Sequence, residues 1–456
     1  MQTPRTIFRQ YDVRGLVGTE LTPELARALG RAFATLAWTR VGHAPVVAVG
    51  RDNRPSGAGL AAGVRQGIVD AGGTALDVGE MPTPALYFAT HHFGTDAGLQ
   101  VTGSHNPPEF NGFKMVLAGE AVHGDQILAL HDMITTEQWR GGTGTERAAP
   151  GTLAAYRDAI TSRHRLARPV KVVVDCGNGV ASLIAVETLR GLGADVTGLF
   201  CESDGSFPNH HPDPTVPENL HDLQAAVART GAELGIAFDG DGDRIGAVDE
   251  GGRIIWGDQL LVIFGRDAVR RFGAGVPVIF DVKCSELLPQ ALERAGARPE
   301  MWKTGHSLIK ARMKELKAPL AGEMSGHMFF GGDWYGFDDA LFAAARLLEI
   351  VAATPGGLSP LLADLPITFT TPEIRVDVDE EAKFAVVERA AAHFAARYRV
   401  NTIDGVRIAF ADGWGLIRAS NTQPVLVLRF EATSEAALAQ YRHEVAGWLA
   451  GQGVRA

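Results

Sequence analysis

The sequence predicts an α/β protein: three similar domains with mixed, largely parallel sheets, then a C-terminal α+β domain, set around a central cleft. Three observations lead there. A strand–helix–strand pattern recurs three times. Glycine stops fall at matching places in each copy. From about Pro366 the pattern shifts to shorter alternating units.

Each copy opens with an apolar strand that runs into an acidic residue and a polar loop. These are VVAVGRDNRPSG (46–57), VKVVVDCGNGVAS (170–182) and VPVIFDVKCSELL (276–288), with Asp52, Asp175 and Asp281 equivalent. A helical stretch follows each, ending at Gly72-Gly73, Gly193 or Gly296. The second strands are TALDVG, ADVTGLF and ARPEMW. After a further helical stretch the third strands are AGLQVT (97–102), AELGIAF (232–238) and APLAG (318–322). Continuous apolar strands alternating with helices are the mark of parallel sheets covered on both faces. The last quarter alternates differently: FTTPEIRVDV, a helix in EEAKFAVVERAAAHFAARY, GVRIAFADGWGLIRAS, PVLVLRFEA and a terminal helix. That order suits a small antiparallel sheet.

Composition sets limits. The 456 residues suit three or four domains at roughly 100–200 residues each. Hydrophobic residues make up 46% and charged residues 21%, as in ordinary globular proteins. A net charge of −10 argues against a broad nucleic-acid surface, but a few cations in a cleft suffice for a small anion. MQTPRTIFRQYDVRG lacks the apolar core of a secretory signal. The most apolar stretch, 340–353, contains Arg346 and Glu349 and suits a buried helix rather than a membrane span. Cys176, Cys201 and Cys284 are well separated and form no CxxC pair, which implies reduced thiols in a cytoplasmic protein.

In open α/β sheets, ligands bind beyond the C-terminal ends of the strands. The loops after the three third strands read TGSHNPP (102–108), DGDGDR (239–244) and GEMSGH (322–327). Three polar loops at matching positions point to one shared cleft with divided tasks. Asp239, Asp241 and Asp243 alternate with glycine. An EF-hand would need Gly where Arg244 stands, although Glu250 falls at its twelfth position, and Ile245 to Ile255 reads as a hairpin. A compact divalent site with open positions is expected instead, of the kind that holds Mg²⁺ beside a phosphate, with Arg244 a guanidinium for the same phosphate. Pro107-Pro108 stops Ser104 from capping a helix. Ser104 and His105 are sequence neighbours whose side chains are expected to diverge. A serine facing a metal can carry a phosphoryl group, with Lys114 neutralising it or moving a proton.

Gly322 and Gly326 disfavour a helix, so Glu323, Ser325 and His327 suit hydroxyl recognition rather than zinc. Arg418, Ser420, Asn421 and Thr422 form a run of donors that suits a phosphate cradle. Lys283, Lys303 and His306 are further cations for a phosphosugar.

These residues resemble those of the α-D-phosphohexomutase superfamily, and most of all its bifunctional phosphomannomutase/phosphoglucomutase branch. The likeness runs from FRQYDVRG (8–15) to RASNTQPVLVLRFEA (418–432), with four loops in order and spacing. It implies four domains around a deep active-site cleft: 1–152 bearing a phosphoserine, 153–254 binding metal, 255–366 recognising sugar and 367–456 binding phosphate. It implies that Ser104 is the phosphoserine and that Asp239, Asp241 and Asp243 hold Mg²⁺ together with a Ser104 phosphoryl oxygen. Glu323 and Ser325 would contact sugar, and Arg418, Ser420, Asn421 and Thr422 the non-reacting phosphate. Tyr11, Arg14, Lys114, Arg244, Lys283, His306 and His327 would line the cleft, with Lys114 and His306 as general acid/base candidates.

The implied reaction interconverts hexose 1- and 6-phosphates of mannose or glucose through a hexose 1,6-bisphosphate, which also serves as activator. The implied partner is the phosphosugar alone, with neither nucleic acid nor membrane, and the implied state is a monomer. GEMSGH, TGSHNP and SNTQP differ from the GEQSGH, SASHNP and SGTEP of phosphoglucosamine mutases, which remain the alternative. A Mg²⁺-dependent phosphosugar phosphatase is the more distant one.

Overall fold

The structure is a computed structural model that describes residues 3–421 and 423–454. Its four sheets follow one another along the chain. The first three share a pattern. In each, the opening strand lies in the middle, flanked in parallel by the second and third strands, and a fourth strand folds back antiparallel onto the third.

In the first sheet Val46–Arg51 lies between Thr74–Glu80 and Ala97–Val101, and Phe110–Leu117 folds back on the last. In the second, Lys171–Asp175 lies between Asp195–Leu199 and Leu234–Phe238, with Ile245–Asp249 folding back. In the third, Pro277–Asp281 lies between Arg298–Trp302 and Leu320–Gly322, with Met328–Phe330 folding back. The repeat read from the sequence is therefore a repeat of topology. The antiparallel return makes each sheet mixed, and it turns the third-strand loop into a hairpin that projects from the sheet end.

The fourth sheet is antiparallel throughout. Val425–Ala432 is its centre, paired with Gly413–Ala419, Ile374–Asp377 and Phe369–Thr370. Two helices, Lys383–Ala395 and Glu435–Gly451, cover one face around Val386, Phe394, Ile417, Leu428 and Val445.

One apolar core runs through the first three sheets, whereas the last domain has its own. The helix Ala340–Ala352 lies in the shared core and is buried on almost every side. Its N-cap Asp339 accepts from the Phe342 amide, the Tyr156 hydroxyl and the Trp334 indole N–H at 2.7–2.9 Å. The one arginine on its buried length, Arg346, meets Asp267 and Asp333. No helix among the described residues is long and apolar enough to cross a membrane.

The wide separation of the cysteines in sequence does not carry over into space. All three are free thiols, but Cys176 and Cys201 bring their sulfurs to 3.4 Å because the strands preceding them are neighbours.

Candidate active site

Ser104 lies just beyond Ala97–Val101, at φ 51° and 1% exposed. A left-handed backbone is costly for a residue with a Cβ, and it persists only where the surroundings impose it. Here they do. The Ser104 amide donates to Thr102 Oγ1 at 2.8 Å. The buried Arg54 guanidinium donates to the carbonyls of Ser104, Asn106, Pro107 and Phe110 at 2.5–2.9 Å, and its Nε reaches Asp52 at 3.1 Å. The tight turn also brings His105 Nδ1 to 3.2 Å from Ser104 Oγ, so the two side chains meet rather than diverge. Burial, with Arg244 and Arg14 nearby, holds the His105 ring neutral, well below its usual pKa.

The acidic loop closes on itself: Asp239 Oδ1 accepts from the amides of Asp243 and Arg244 at 3.0 and 3.1 Å. Gly240 is required here, because a Cβ would lie 2.4 Å from the Ser104 carbonyl oxygen. That contact seats the two loops against each other. Asp239, Asp241 and Asp243 have no exposed surface, and one carboxylate oxygen from each falls within a 4.8 Å group. Ser104 Oγ donates to Asp239 Oδ2 at 3.2 Å.

A cation already stands among the aspartates: Lys114, from the strand Phe110–Leu117, donates to Asp241 at 2.8 Å and to Asp243 at 2.5 Å. One ammonium does not satisfy three carboxylates. Burial and its two acidic neighbours push Asp239 well above the usual carboxylate range, while burial is outweighed at Asp243 by Lys114 and His327, which hold it well below. Oδ1 of Asp241 and Oδ1 of Asp243 are buried without a hydrogen-bond donor. Hard anionic oxygens with unused lone pairs beside a serine hydroxyl are what a divalent cation such as Mg²⁺ requires, so the donor set fits a metal. Glu250, the residue at the calcium-loop spacing, points elsewhere and accepts from Leu358 N and Ser359 N.

The third loop faces the second across an isolated bridge between Arg244 and His327. His327 Nδ1 lies 2.7 Å from Glu323 Oε2, and its Nε2 lies 3.3 Å from Asp243 Oδ1. Burial disfavours the imidazolium, but Asp243 and Glu323 outweigh it and raise the ring to about 9. Glu323 Oε1 accepts from Gly305 N at 2.6 Å, so both of its oxygens are engaged by the protein before any sugar arrives. His306 opens the helix His306–Leu316. Its Nδ1 and Asp338 Oδ2 are both buried without hydrogen-bond partners, 3.7 Å apart. Burial lowers His306 to about 3.

Lys283 reaches Glu373 at 2.9 Å. Arg14 is held by Asp12 at 2.6 Å and Asn106 at 2.5 Å. Tyr11 donates to the Thr304 carbonyl at 3.1 Å and accepts from Asn421 Nδ2 at 2.8 Å.

In the last domain Arg418 is oriented by Asp404, 3.1 Å from its Nε. Gln423 N donates to Ser420 Oγ at 3.2 Å. Thr422 lies outside the described residues.

These groups converge. A cavity of about 230 Å³ is lined by Tyr11, Arg14, Ser104, Lys114, Arg244, Lys283, His306, Glu323, Ser325, His327, Arg418, Ser420 and Asn421. The three aspartates lie at its base, behind Ser104 and Lys114. Lys303 is exposed and does not line the cavity, because it precedes the turn that aims His306 inward. A larger hollow of about 940 Å³ between Glu286, Trp414 and Ile367 gathers no comparable set of cations and carboxylates.

Sequence reasoning missed Arg54, Asp338, Asp404 and Glu373. Each acts on another residue of the site rather than on the cavity's centre, and the only signal for Arg54 was its place in RDNRPSG, a strand-end loop.

Four family models match in succession: phosphoglucomutase/phosphomannomutase alpha/beta/alpha domain I at residues 5–141, domain II at 154–252, domain III at 256–369, and the C-terminal domain at 373–447. The chain is 49% identical over 435 residues to a phosphomannomutase/phosphoglucomutase of Pseudomonas aeruginosa, covering 95% of this chain and 93% of that one. It is 46% identical over 441 residues to a phosphoglucomutase of Neisseria gonorrhoeae, covering 95% and 94%. The crystal structure of a phosphoglucomutase/phosphomannomutase family protein from Burkholderia thailandensis superposes with a TM-score of 0.91 at 45% identity, covering 98% of each chain. With all four domains matched in order around one cavity, the chain belongs to the phosphoglucomutase/phosphomannomutase family.

Proposed function

We propose that the protein is a phosphohexomutase acting on mannose and glucose phosphates, the sugars in the names of its relatives. The observation that carries this is the pairing of Ser104 Oγ with Asp239, beside two donor-less carboxylate oxygens, in a cavity whose opposite wall carries Arg418.

Phosphorylated Ser104 gives its phosphoryl group to the free hydroxyl of a hexose monophosphate. The resulting hexose 1,6-bisphosphate turns over within the cleft and returns its other phosphate to Ser104. Phosphoryl transfer depends mainly on alignment and charge neutralisation. Arg244 and Lys114 face the serine and supply fixed positive charge. Arg418, Ser420 and Asn421 hold the far phosphate, and Thr422 belongs to the same proposed grip. Glu323 and Ser325 face the sugar. His327, raised against burial to about 9 by Asp243 and Glu323, is an imidazolium across the working pH range and adds fixed positive charge beside the acidic loop. Lys114 is committed to two aspartates and suits charge neutralisation, whereas His306, held neutral with Nδ1 unpartnered, is the cavity ring able to accept the proton of the attacking hydroxyl.

Asp239, Asp241 and Asp243 would hold Mg²⁺, which supplies charge neutralisation for the phosphoryl oxygens. A monomer is the proposed acting state, with all four domains contributing to one cavity. Three free thiols and a phosphosugar substrate support a cytoplasmic setting.

The test is conversion of glucose 1-phosphate with Mg²⁺ and trace glucose 1,6-bisphosphate, followed by glucose 6-phosphate formation. Ser104→Ala is expected to lower kcat by about 10⁴-fold or more, and His306→Gln by about 10²–10⁴-fold with KM little changed. Stoichiometric free phosphate without glucose 6-phosphate would overturn the mutase reading.

A further inference from the structure

Two thiols that the reaction does not use lie directly behind the acidic loop. The parallel strands Lys171–Asp175 and Asp195–Leu199 end in register at Asp175 and Leu199. Their pairing continues past the strand ends: Cys176 N donates to Leu199 O at 3.1 Å, and Asn178 N to Phe200 O at 2.8 Å. Phe200, at φ 49°, turns the chain so that Cys201 faces Cys176 across this extension.

The sulfurs are 3.4 Å apart. Neighbouring strands lie about 4.8 Å apart, within reach of the roughly 4.4–6.8 Å Cα separation of disulfides. An S–S bond of about 2.05 Å asks the sulfurs to approach by little more than 1 Å, a distance side-chain rotation can cover. Cys176 is fully buried and Cys201 is partly exposed. The hydrogen bond between the two sulfurs draws the Cys201 thiol below its ordinary pKa and, with burial, holds Cys176 well above. The outer sulfur is thus the reactive one and the inner the resolving one.

The pair is coupled to the site through backbone. The Cys176 carbonyl accepts from Gly179 N at 2.7 Å, and Val180 N donates to the Gly240 carbonyl at 3.0 Å. A Cβ on Gly179 would meet that same Gly240 oxygen at 2.9 Å. Residues 176–180 therefore form the back wall against which Gly240 seats the acidic loop.

We propose that Cys176 and Cys201 are a redox-modification site, oxidised by a hydroperoxide to an intramolecular disulfide that displaces this wall and weakens the metal-binding loop. The Cys201 thiolate attacks the peroxide, the O–O bond breaks, and a sulfenic acid forms as one equivalent of alcohol or water leaves. The Cys176 thiol then attacks that sulfur and a second water leaves. The dithiol gives two electrons and the hydroperoxide accepts them. The effect on the loop rests on the function proposed above; formation of the disulfide does not.

The experiment treats the full chain with hydrogen peroxide, then alkylates it under denaturing conditions before intact-mass and peptide analysis. The expected product carries one alkyl group, on Cys284, where the reduced protein carries three. Its mass before alkylation is lower by two hydrogens, and a Cys176–Cys201 cross-linked peptide is present. In parallel, the Mg²⁺ concentration for half-maximal mutase activity rises about fivefold or more and returns to its starting value with dithiothreitol. Cys201→Ser keeps its Mg²⁺ dependence under peroxide. Cys176→Ser accumulates a sulfenic acid trapped by dimedone at Cys201, which separates oxidation from any folding defect. Three alkyl groups after peroxide overturn the site itself. A complete disulfide with unchanged Mg²⁺ dependence overturns its coupling to the loop. Because the mass readout needs no substrate, neither result depends on the chain being a mutase.

Discussion

The Ser104 loop and the Arg418 loop would both grip phosphate, yet they are built in opposite ways. The serine loop is locked from behind. Arg54 draws four carbonyls onto one guanidinium, Thr102 fixes the serine amide, and Gly240 closes the front. Its strand, Ala97–Val101, packs into a core of the first domain, and that domain also contributes to a core shared with the second and third. The Arg418 loop belongs to a domain with its own core. That domain joins the third through a small apolar cluster of Val282, Trp414 and Leu416 and through polar contacts: Arg407 to the Val282 and Cys284 carbonyls, Ser285 to Glu431, Lys283 to Glu373, and Thr304 N to Asp404. A bisphosphate that must turn within its cleft needs one fixed grip and one that releases. On the function proposed above, the rigid loop would sit where the phosphoryl group is transferred, and the separable loop where the sugar is carried.

The contrast is open to test by removing the central guanidinium from each loop. Arg54→Met leaves Asp52 buried without its partner and four carbonyls without their donor. Losing one member of a buried pair costs about 3–5 kcal/mol. The urea midpoint is expected to fall accordingly, with activity falling as the Ser104 backbone relaxes from φ 51°. Arg418→Ala removes a charged donor from the cavity wall, worth about 1.5–3 kcal/mol. The expected effect is a KM increase of about 10–100-fold with the urea midpoint nearly unchanged. If Arg418→Ala destabilised the fold as much as Arg54→Met, the two loops would not differ in kind.

The sequence showed more of the cleft than of what supports it. The three loops were legible because a strand followed by a polar glycine turn has one place to go in an α/β sheet. The aspartate spacing likewise marked a site for charge. Arg54 stayed hidden because its partners are backbone carbonyls about fifty residues onward, and carbonyls carry no residue identity. Lys114 reads as a proton mover in the sequence. Only the antiparallel return of Phe110–Leu117 shows its ammonium lying between Asp241 and Asp243. Lys303 and His306 looked equivalent on paper, and the turn between them sends one outward and the other into the cavity. Cys176 and Cys201 looked unrelated because strand adjacency, unlike strand existence, is not written locally.

The separable side of the comparison has a pH signature. Lys283 holds Glu373 at about 2, with burial opposing it, and the pair joins the third and fourth domains. A carboxylate lowered on folding contributes stability above its ordinary pKa of about 4.5, and loses it as pH falls from there through about 2. Glu373 keeps about a quarter of its side chain exposed, which limits the contribution to about 1–2 kcal/mol. The unfolding free energy, followed by tryptophan fluorescence in urea, is expected to lose that increment between pH 5 and 2.5. Glu373→Gln should show a shallower slope over the same range, where Glu349, also held at about 2, still titrates, and an identical pH slope in the variant would place the acid-sensitive contact elsewhere.

Tyr11 is the smallest and sharpest test, because its one hydroxyl touches both sides of the divide. It donates to Thr304 of the third domain and accepts from Asn421 of the fourth, while itself belonging to the first. Burial raises the phenol to about 12, so it remains a protonated donor across the working pH range. Tyr11→Phe keeps the ring and removes only this latch, a net loss of about 0.5–1.5 kcal/mol. If the fourth domain closes over bound sugar and opens to release it, weakening the latch destabilises the closed complex and speeds release together. KM is then expected to rise about 2–10-fold, while kcat stays within about twofold or increases. An equal fall in kcat and in kcat/KM would instead mean that the hydroxyl acts on the reacting atoms, and that the fourth domain is as fixed as the serine loop.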